Sequence, residues 1–372
     1  MSAHLPRKFI IINNMLNPEM SLFRIFVALI AICCFFVILN LLKKRRIVGS
    51  EFLIWTAILT SIVFLCIFPQ TIEYIFNYIN LASQNRYDRL IQLGYLFSFT
   101  TLAIVFYYRS KIHSHREQFI QSIQVPIQNK FIKENRDTIG KIDLMILIPA
   151  FNEEENISQV IKRIPKEICG LTPYVLVVSD GSDDLTYDES IKSGAKIIQH
   201  PINFGQCVAY RTGYSIASKM KVKYLVHLDA DGQYQPEEIE KILEPLINDE
   251  SDLISGSRKM GVYEERFKIS NLPRSVGVVF FNYILTFLLG LKITDSSSGF
   301  RAINVEFLPM LTLKQEQFHS SELLIESIKK GARFKEVPIS FLGRISGKSK
   351  KPNSVKYAFG FLNAIIRTWL RN

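Results

Sequence analysis

Four short apolar runs, each ending in a knot of polar residues, set the strongest limit on how this chain can fold. They are DLMILIPA (143–150), YVLVVSDGSDD (174–184), AKIIQH (195–200) and KYLVHLDADG (223–232). Short, continuously apolar runs bounded by turn residues read as strands covered on both faces. The stretches between them have helical spacing. In FNEEENISQVIKRI (151–164), Ile157, Val160, Ile161 and Ile164 fall on one side, Asn152 is placed as a cap, and Glu155 as its capping-box partner. Apolar strands alternating with helices predict an α/β unit with a largely parallel sheet.

Open sheets of this kind carry their active groups beyond the carboxyl ends of the strands. Polar clusters stand at those ends here, at 149–152, 179–184 and 229–233. One alone is an Asx-turn or a helix cap; several on one sheet edge predict a cleft. The first strand is not followed by GxGxxG, and GxxxxGK[ST] does not occur, so the glycine cradles of dinucleotide folds and P-loops are missing. Any diphosphate needs its countercharge elsewhere. Asp229 and Asp231, two residues apart around a turn, can both face Mg²⁺ or Mn²⁺, and Gln233 can add a neutral oxygen. Three such side chains do not complete a cage, which points to an ion shared with the substrate. Pro236 reads as a helix start, with Glu237 and Glu238 as its acidic first turn.

The chain of 372 residues carries a formal net charge of +11. Such a surplus fits nucleic acid or a membrane surface, and the apolar runs favour the membrane and speak against nucleic acid. Nearly charge-free runs at 25–42, 52–68 and 90–108 predict transmembrane helices at about 22–42, 52–70 and 90–108 within a membrane domain spanning 1–110. A cleaved signal peptide would not recur three times. Lys43, Lys44, Arg45 and Arg46 follow the first run, and Arg109, Lys111 and Arg116 follow the third. Positive loops stay cytoplasmic, so the reading is an integral membrane protein with its N-terminus outside and everything past about residue 109 in the cytoplasm. Residues 111–142 read as a linker or juxtamembrane helix, and the five cysteines as reduced, buried hydrophobes. The apolar stretch 276–291 reads as an interfacial or a buried helix, and 351–372 as an amphipathic or interfacial C-terminal helix.

LIPAFNEEENI (147–157), VVSDGSDD (177–184), NFGQCVAYRTG (203–213), DADGQYQPEEI (229–239), GSR (256–258) and DSSSGFRAIN (295–304) follow one another in the order of a known family. Together they resemble family 2 glycosyltransferases, in the branch of dolichyl-phosphate mannosyltransferase-like and polyprenyl-phosphate glycosyltransferases. The resemblance covers roughly 143–350, and the first hundred residues resemble a small membrane domain found beside such enzymes. It implies a GT-A fold and a nucleotide-sugar donor. By the same resemblance Pro149, Ala150, Asn152 and Glu153 line the nucleoside pocket, and Asp180 helps hold the base. Asp229 and Asp231 form the DxD motif on the metal and diphosphate, with Gln233 as an added ligand. Arg258 faces phosphates, Arg301 of the SGFR segment clamps phosphate, and Arg344, Ser349 and Lys350 ride a loop that closes over the diphosphate. Two positions depart from the pattern: Ser179 stands where an aspartate is common, and Cys207 where a glycine is usual.

The implied reaction is inverting transfer of a hexosyl group from GDP-mannose, UDP-glucose or UDP-GlcNAc to a polyprenyl phosphate at the bilayer. An acceptor that is already anionic needs orientation more than a strong base, so His200, His227 and His319 read as structural, and Asp295 as a base or a partner for Arg301. The rivals are a glycosyltransferase with another lipid or a polysaccharide acceptor, and an inactive membrane scaffold or sensor. A homo-oligomer is compatible with either reading.

Overall fold

The computed structural model describes residues 29–36, 39, 55–61, 63–64, 86–262, 272–346 and 355–371. The chain divides into two compact units, Met1–Ile112 and His113–Asn372. In the first, residues 29–36 and 55–61 are helical. Among the described residues no helix is long and apolar enough to cross a membrane. The predicted spans at 22–42 and 52–70 lie largely outside the described residues. The third, 90–108, lies within helix α1 (Arg86–Glu134), whose final turns from His113 onward belong to the second unit.

The second unit is built on a seven-stranded sheet. Its strands are β1 (Leu144–Ala150), β2 (Pro173–Ser179), β3 (Lys196–Gln199), β4 (Tyr224–His227), β5 (Leu253–Ser257), β6 (Arg301–Asn304) and β7 (Phe334–Pro338), in the order β3-β2-β1-β4-β6-β5-β7. The predicted runs supply β1 to β4, all parallel. β6 is antiparallel to both β4 and β5, and β7 pairs parallel to β5. The sheet is thus mostly parallel, as its apolar runs required. The antiparallel insertion was not readable, because RAIN is four residues long and ends beside a polar loop.

Side chains alternate across the strands and feed one core on each face. Met145, Leu147, Leu176, Val178 and Leu225 join helices α4 (Gln206–Lys219), α7 (His319–Lys329) and α8 (Val355–Leu370). Leu144, Ile146, Ile148, Val177 and Val226 join α2 (Ile157–Lys162) and α5 (Ile239–Ile247). Each such buried aliphatic side chain contributes about 1.5–3 kcal/mol. β1 is buried at every residue, the signature of a central parallel strand. Helices α3 (Thr186–Lys192) and α6 (Leu272–Leu289) complete the unit.

Two sequence expectations are corrected here. The helix predicted from Asn152 begins at Ile157, and Asn156 precedes it. Asn152 instead takes a left-handed backbone, φ 51°, and its Oδ1 accepts from the Asp183 amide at 3.0 Å. It ties the β1 loop to the β2 loop, so the chain turns there before any helix can start. The 276–291 stretch is neither fully buried nor fully exposed. Phe281 and Leu285 are buried, Phe281 packing edge-on against Phe361 of α8, while Val279, Phe280, Tyr283 and Phe287 stand exposed.

Candidate active site

The site forms where β4 ends. From residue 229 to 234 the chain alternates: Asp229, Asp231 and Gln233 are half-buried, whereas Ala230, Gly232 and Tyr234 are buried. The chain turns between the two aspartates and Gln233, and all three keep partial access. Asp231 also closes an Asx-turn, its Oδ1 accepting from the Gln233 amide at 3.2 Å. Gly232 has φ +73°, and a Cβ there would meet the Ile345 side chain at 2.2 Å. Pro236–Glu238 then form a 3-10 turn leading into α5, with Glu237 paired to Arg163 at 2.8 Å.

A late stretch of chain lies against this one. Tyr234 and Phe341 form an antiparallel bridge, and the Leu342 amide donates to the Gln233 carbonyl at 2.9 Å. This pairing delivers Arg344, which donates to Glu153 Oε1 at 2.5 Å and stands 3.7 Å from Asp231 Oδ2. Glu153 Oε2 accepts from Asn156 at 2.7 Å. Arg344, Glu153 and Asp231 are thus brought together from three distant parts of the chain. Ser349 and Lys350 lie outside the described residues.

Asp229 is framed from two other sides. The Gln206 amide and the Tyr210 hydroxyl, on the same face of α4 at i and i+4, reach its Oδ1 at 3.4 and 3.3 Å. Burial, then the Asp229 charge, pushes the Tyr210 phenol well above its ordinary value, so it remains a donor. Opposite, Gly299 passes so close that a Cβ would stand 2.9 Å from Asp229 Oδ2. The Gly299 amide donates to the Tyr234 hydroxyl at 2.8 Å, which fixes the loop at that height. Gln206, Tyr210 and Tyr234 were missed in the sequence. The i, i+4 spacing of Gln206 and Tyr210 at a helix start was the available signal.

The remaining predicted residues support the edge from behind. Pro149 and Ala150 are buried at the end of β1, where the Ala150 carbonyl accepts the Asp180 amide at 2.8 Å. Asp180 is 3% exposed and turned into the fold. Its carboxylate accepts from His200 Nδ1 at 2.7 Å and from the Phe204 and Gly205 amides at 3.1 and 2.6 Å. These contacts tie Asp180, to which the resemblance gives the role of holding a base, to the loop that starts α4.

Arg258 and Asp295 form a two-pronged pair, with Nε and a terminal nitrogen each 2.7 Å from a carboxylate oxygen. Burial raises the Asp295 carboxyl, but the charge and hydrogen bonds of Arg258, helped by the charge of Arg301, outweigh it and hold it below the ordinary range. A carboxylate so held is a poor base, and its direct partner is Arg258 rather than Arg301. The resemblance gives Arg301 the role of a phosphate clamp. That guanidinium is fully buried and donates to the carbonyls of Ser296, Ser298 and Ser320. It shapes the loop that carries Gly299.

Whether the site suits a divalent cation follows from its donors. Asp229 and Asp231 present oxygens only, the preference of Mg²⁺ and Mn²⁺. Gly299 leaves the Asp229 carboxylate unobstructed where any side chain would crowd it. Among the described residues no group of three or more His, Cys, Asp or Glu could hold a metal. The pair therefore fits a cation whose other ligands come from a substrate. The Gln233 amide nitrogen is turned to the Leu342 carbonyl at 3.4 Å.

A sheet of this topology with paired carboxylates at the end of its fourth strand defines a GT-A-like fold. Glycosyl transferase family 2 matches residues 145–310. An uncharacterized protein of Methanocaldococcus jannaschii is 35% identical over 57% of this chain and 85% of its own. A UDP-N-acetylglucosamine–dolichyl-phosphate N-acetylglucosaminyltransferase of Methanococcus voltae is 32% identical over 53% of this chain and 84% of its own. A dolichyl-phosphate hexose transferase of Haloferax volcanii is 32% identical over 56% and 86%. The chain belongs to glycosyl transferase family 2.

Proposed function

We propose that this glycosyltransferase moves a hexosyl group from a nucleoside-diphosphate sugar to a polyprenyl phosphate, with inversion, at the cytoplasmic face of a membrane. The observation that carries the reading is the meeting of Asp231, Glu153 and Arg344 at the end of β4, two residues along the chain from Asp229. Relatives acting on dolichyl phosphates support the acceptor class.

In this reading Asp229 and Asp231 hold Mg²⁺ or Mn²⁺, whose chemistry is to neutralise charge on the departing diphosphate. Arg344 supplies positive charge at the same edge, beside Glu153 and Asp231. Arg258, fixed by Asp295, adds a stationary positive charge. A phosphate oxygen of the acceptor attacks the anomeric carbon as the bond to the nucleoside diphosphate breaks. The attacking oxygen bears no proton, so no base is assigned. The exposed apolar side of α6, with Phe280, Tyr283 and Phe287, suits a bilayer surface where a lipid acceptor resides. The predicted spans at 22–42, 52–70 and 90–108 belong to the same proposal.

The test is to incubate detergent-purified protein with labelled GDP-mannose, UDP-glucose or UDP-GlcNAc, polyprenyl phosphate and Mg²⁺ or Mn²⁺. A labelled lipid is the expected product. Free sugar or polymer with every donor, and no lipid product, would overturn the acceptor assignment.

A further inference from the structure

A single line of buried polar side chains runs from α1 to the loop that starts α4. Gln124 of α1 donates from Nε2 to Thr212 Oγ1 at 2.6 Å, and Thr212 Oγ1 lies 2.9 Å from His200 Nε2. His200 Nδ1 lies 2.7 Å from Asp180 Oδ1, and Asp180 accepts the amides of Phe204 and Gly205. All four side chains are buried: Gln124 at 8% exposure, Thr212 at 1%, His200 at 0% and Asp180 at 3%.

An amide nitrogen can only donate, so Thr212 Oγ1 accepts from Gln124. A carboxylate only accepts, so His200 donates its Nδ1 proton to Asp180. Other ties between α1 and α4, Ser215 to Gln128 at 2.7 Å and Arg211 to Glu117 at 3.3 Å, end on the helix surface. The line through Gln124 and Thr212 continues to the loop. Its terminus matters because Gly205 immediately precedes Gln206, and Gln206 with Tyr210 borders Asp229.

We infer that Gln124, Thr212 and His200 are positioning residues: through Asp180 they hold the 203–205 loop, and thereby set Gln206 and Tyr210 against the cation-binding carboxylate. The consequence for Asp229 rests on the function proposed above; the hold on the loop does not. Buried networks of this kind are strong when fully satisfied and fail as a unit when one member is lost.

The experiment uses the full chain with Thr212→Val, Gln124→Met and Thr212→Ser. Hydrogen exchange of the peptide containing Phe204 and Gly205 is measured, together with titration of Mn²⁺ plus UDP or GDP. Thr212→Val and Gln124→Met are expected to speed exchange in that peptide by roughly tenfold and to weaken nucleotide binding by about fivefold. Thr212→Ser, which keeps the hydroxyl, should remain near the wild type in both. Unchanged exchange in the 203–205 peptide of both Thr212→Val and Gln124→Met overturns the inference, as does Thr212→Ser behaving like Thr212→Val. If Thr212→Val does not fold, Gln124→Met carries the decision, since its altered side chain is of similar size. Absence of any Mn²⁺-nucleotide binding by the wild type would refute the proposed function, and the exchange result would still decide the relay.

Discussion

Gly299 stands where a methyl group would lie 2.9 Å from one carboxylate oxygen of Asp229 and 3.1 Å from the other. Van der Waals contact needs more room than that, and the loop is held from below by the bond from its own amide to Tyr234. Gly299→Ala should therefore displace Asp229 without touching any charge. The expected outcome is a cation requirement shifted upward by roughly 10- to 100-fold, with thermal stability little changed. Titration of activity against Mg²⁺ or Mn²⁺ checks it, and an unshifted curve refutes it.

Asp231→Asn keeps the Asx-turn, because an amide oxygen still accepts from the Gln233 amide, but it removes a charge. Sugar transfer should fall by roughly 10²- to 10³-fold, the loss seen when one preorganised electrostatic contact at a developing charge is removed. Circular dichroism should remain that of the wild type. Transfer at the wild-type rate would rule out the paired-carboxylate site.

Asp295→Asn leaves the half-buried Arg258 guanidinium against a neutral, buried partner. Loss of one member of a buried pair costs about 3–5 kcal/mol. The Asp295 carboxyl is depressed when folded, so the stability it contributes is present above its ordinary value of 3.8 and lost as the pH falls through its lower folded value. Chemical denaturation should show the deficit of the variant at neutral pH, narrowing on acidification below about pH 4. A constant deficit down to pH 2 would contradict the assignment.

His227 is buried, and burial, with the charge of Arg301 added, lowers it to about 3 from 6.5. The unfolded chain takes a proton at 6.5 that the folded chain refuses until about 3, so folded stability declines across that window as the pH falls. Each pH unit in the window costs up to about 1.4 kcal/mol. His227→Phe, which keeps a ring beside Tyr210 and Tyr214, should flatten the decline. His319, also lowered well below its ordinary value by burial, keeps part of the slope. An identical pH profile in the variant would exclude His227 as a contributor.

The parts of the fold that announce themselves in the sequence are those whose burial repeats along the chain. β1 to β4 are apolar because both their faces are covered, and their ends carry the polar residues that line a sheet edge. The placement of Asp229, Asp231 and Glu153 at one sheet edge was legible for that reason. The internal contacts of Arg301, Asp295 and Asp180 were not. A buried charge and a ligand-binding charge look the same in one dimension, and only the carbonyls around Arg301 or the amides around Asp180 tell them apart. The start of α2 was misread because the helix begins at Ile157, and the Asn152 side chain crosses to Asp183. β6 escaped because pairing against its neighbours' direction leaves no trace in composition.

The placement of β6 between β4 and β5 has a consequence for how the protein is made. Gly299 reaches its partner Tyr234 across 65 residues, and Arg344 reaches Glu153 across 191. A ribosome releases the two acidic residues of the cleft long before the segments that frame them, and closing such long loops is slow. The edge of β4 cannot take its finished form until β6 has slid between two strands already synthesised. The two acidic residues thus wait, during synthesis, for the later segments that carry Gly299 and Arg344.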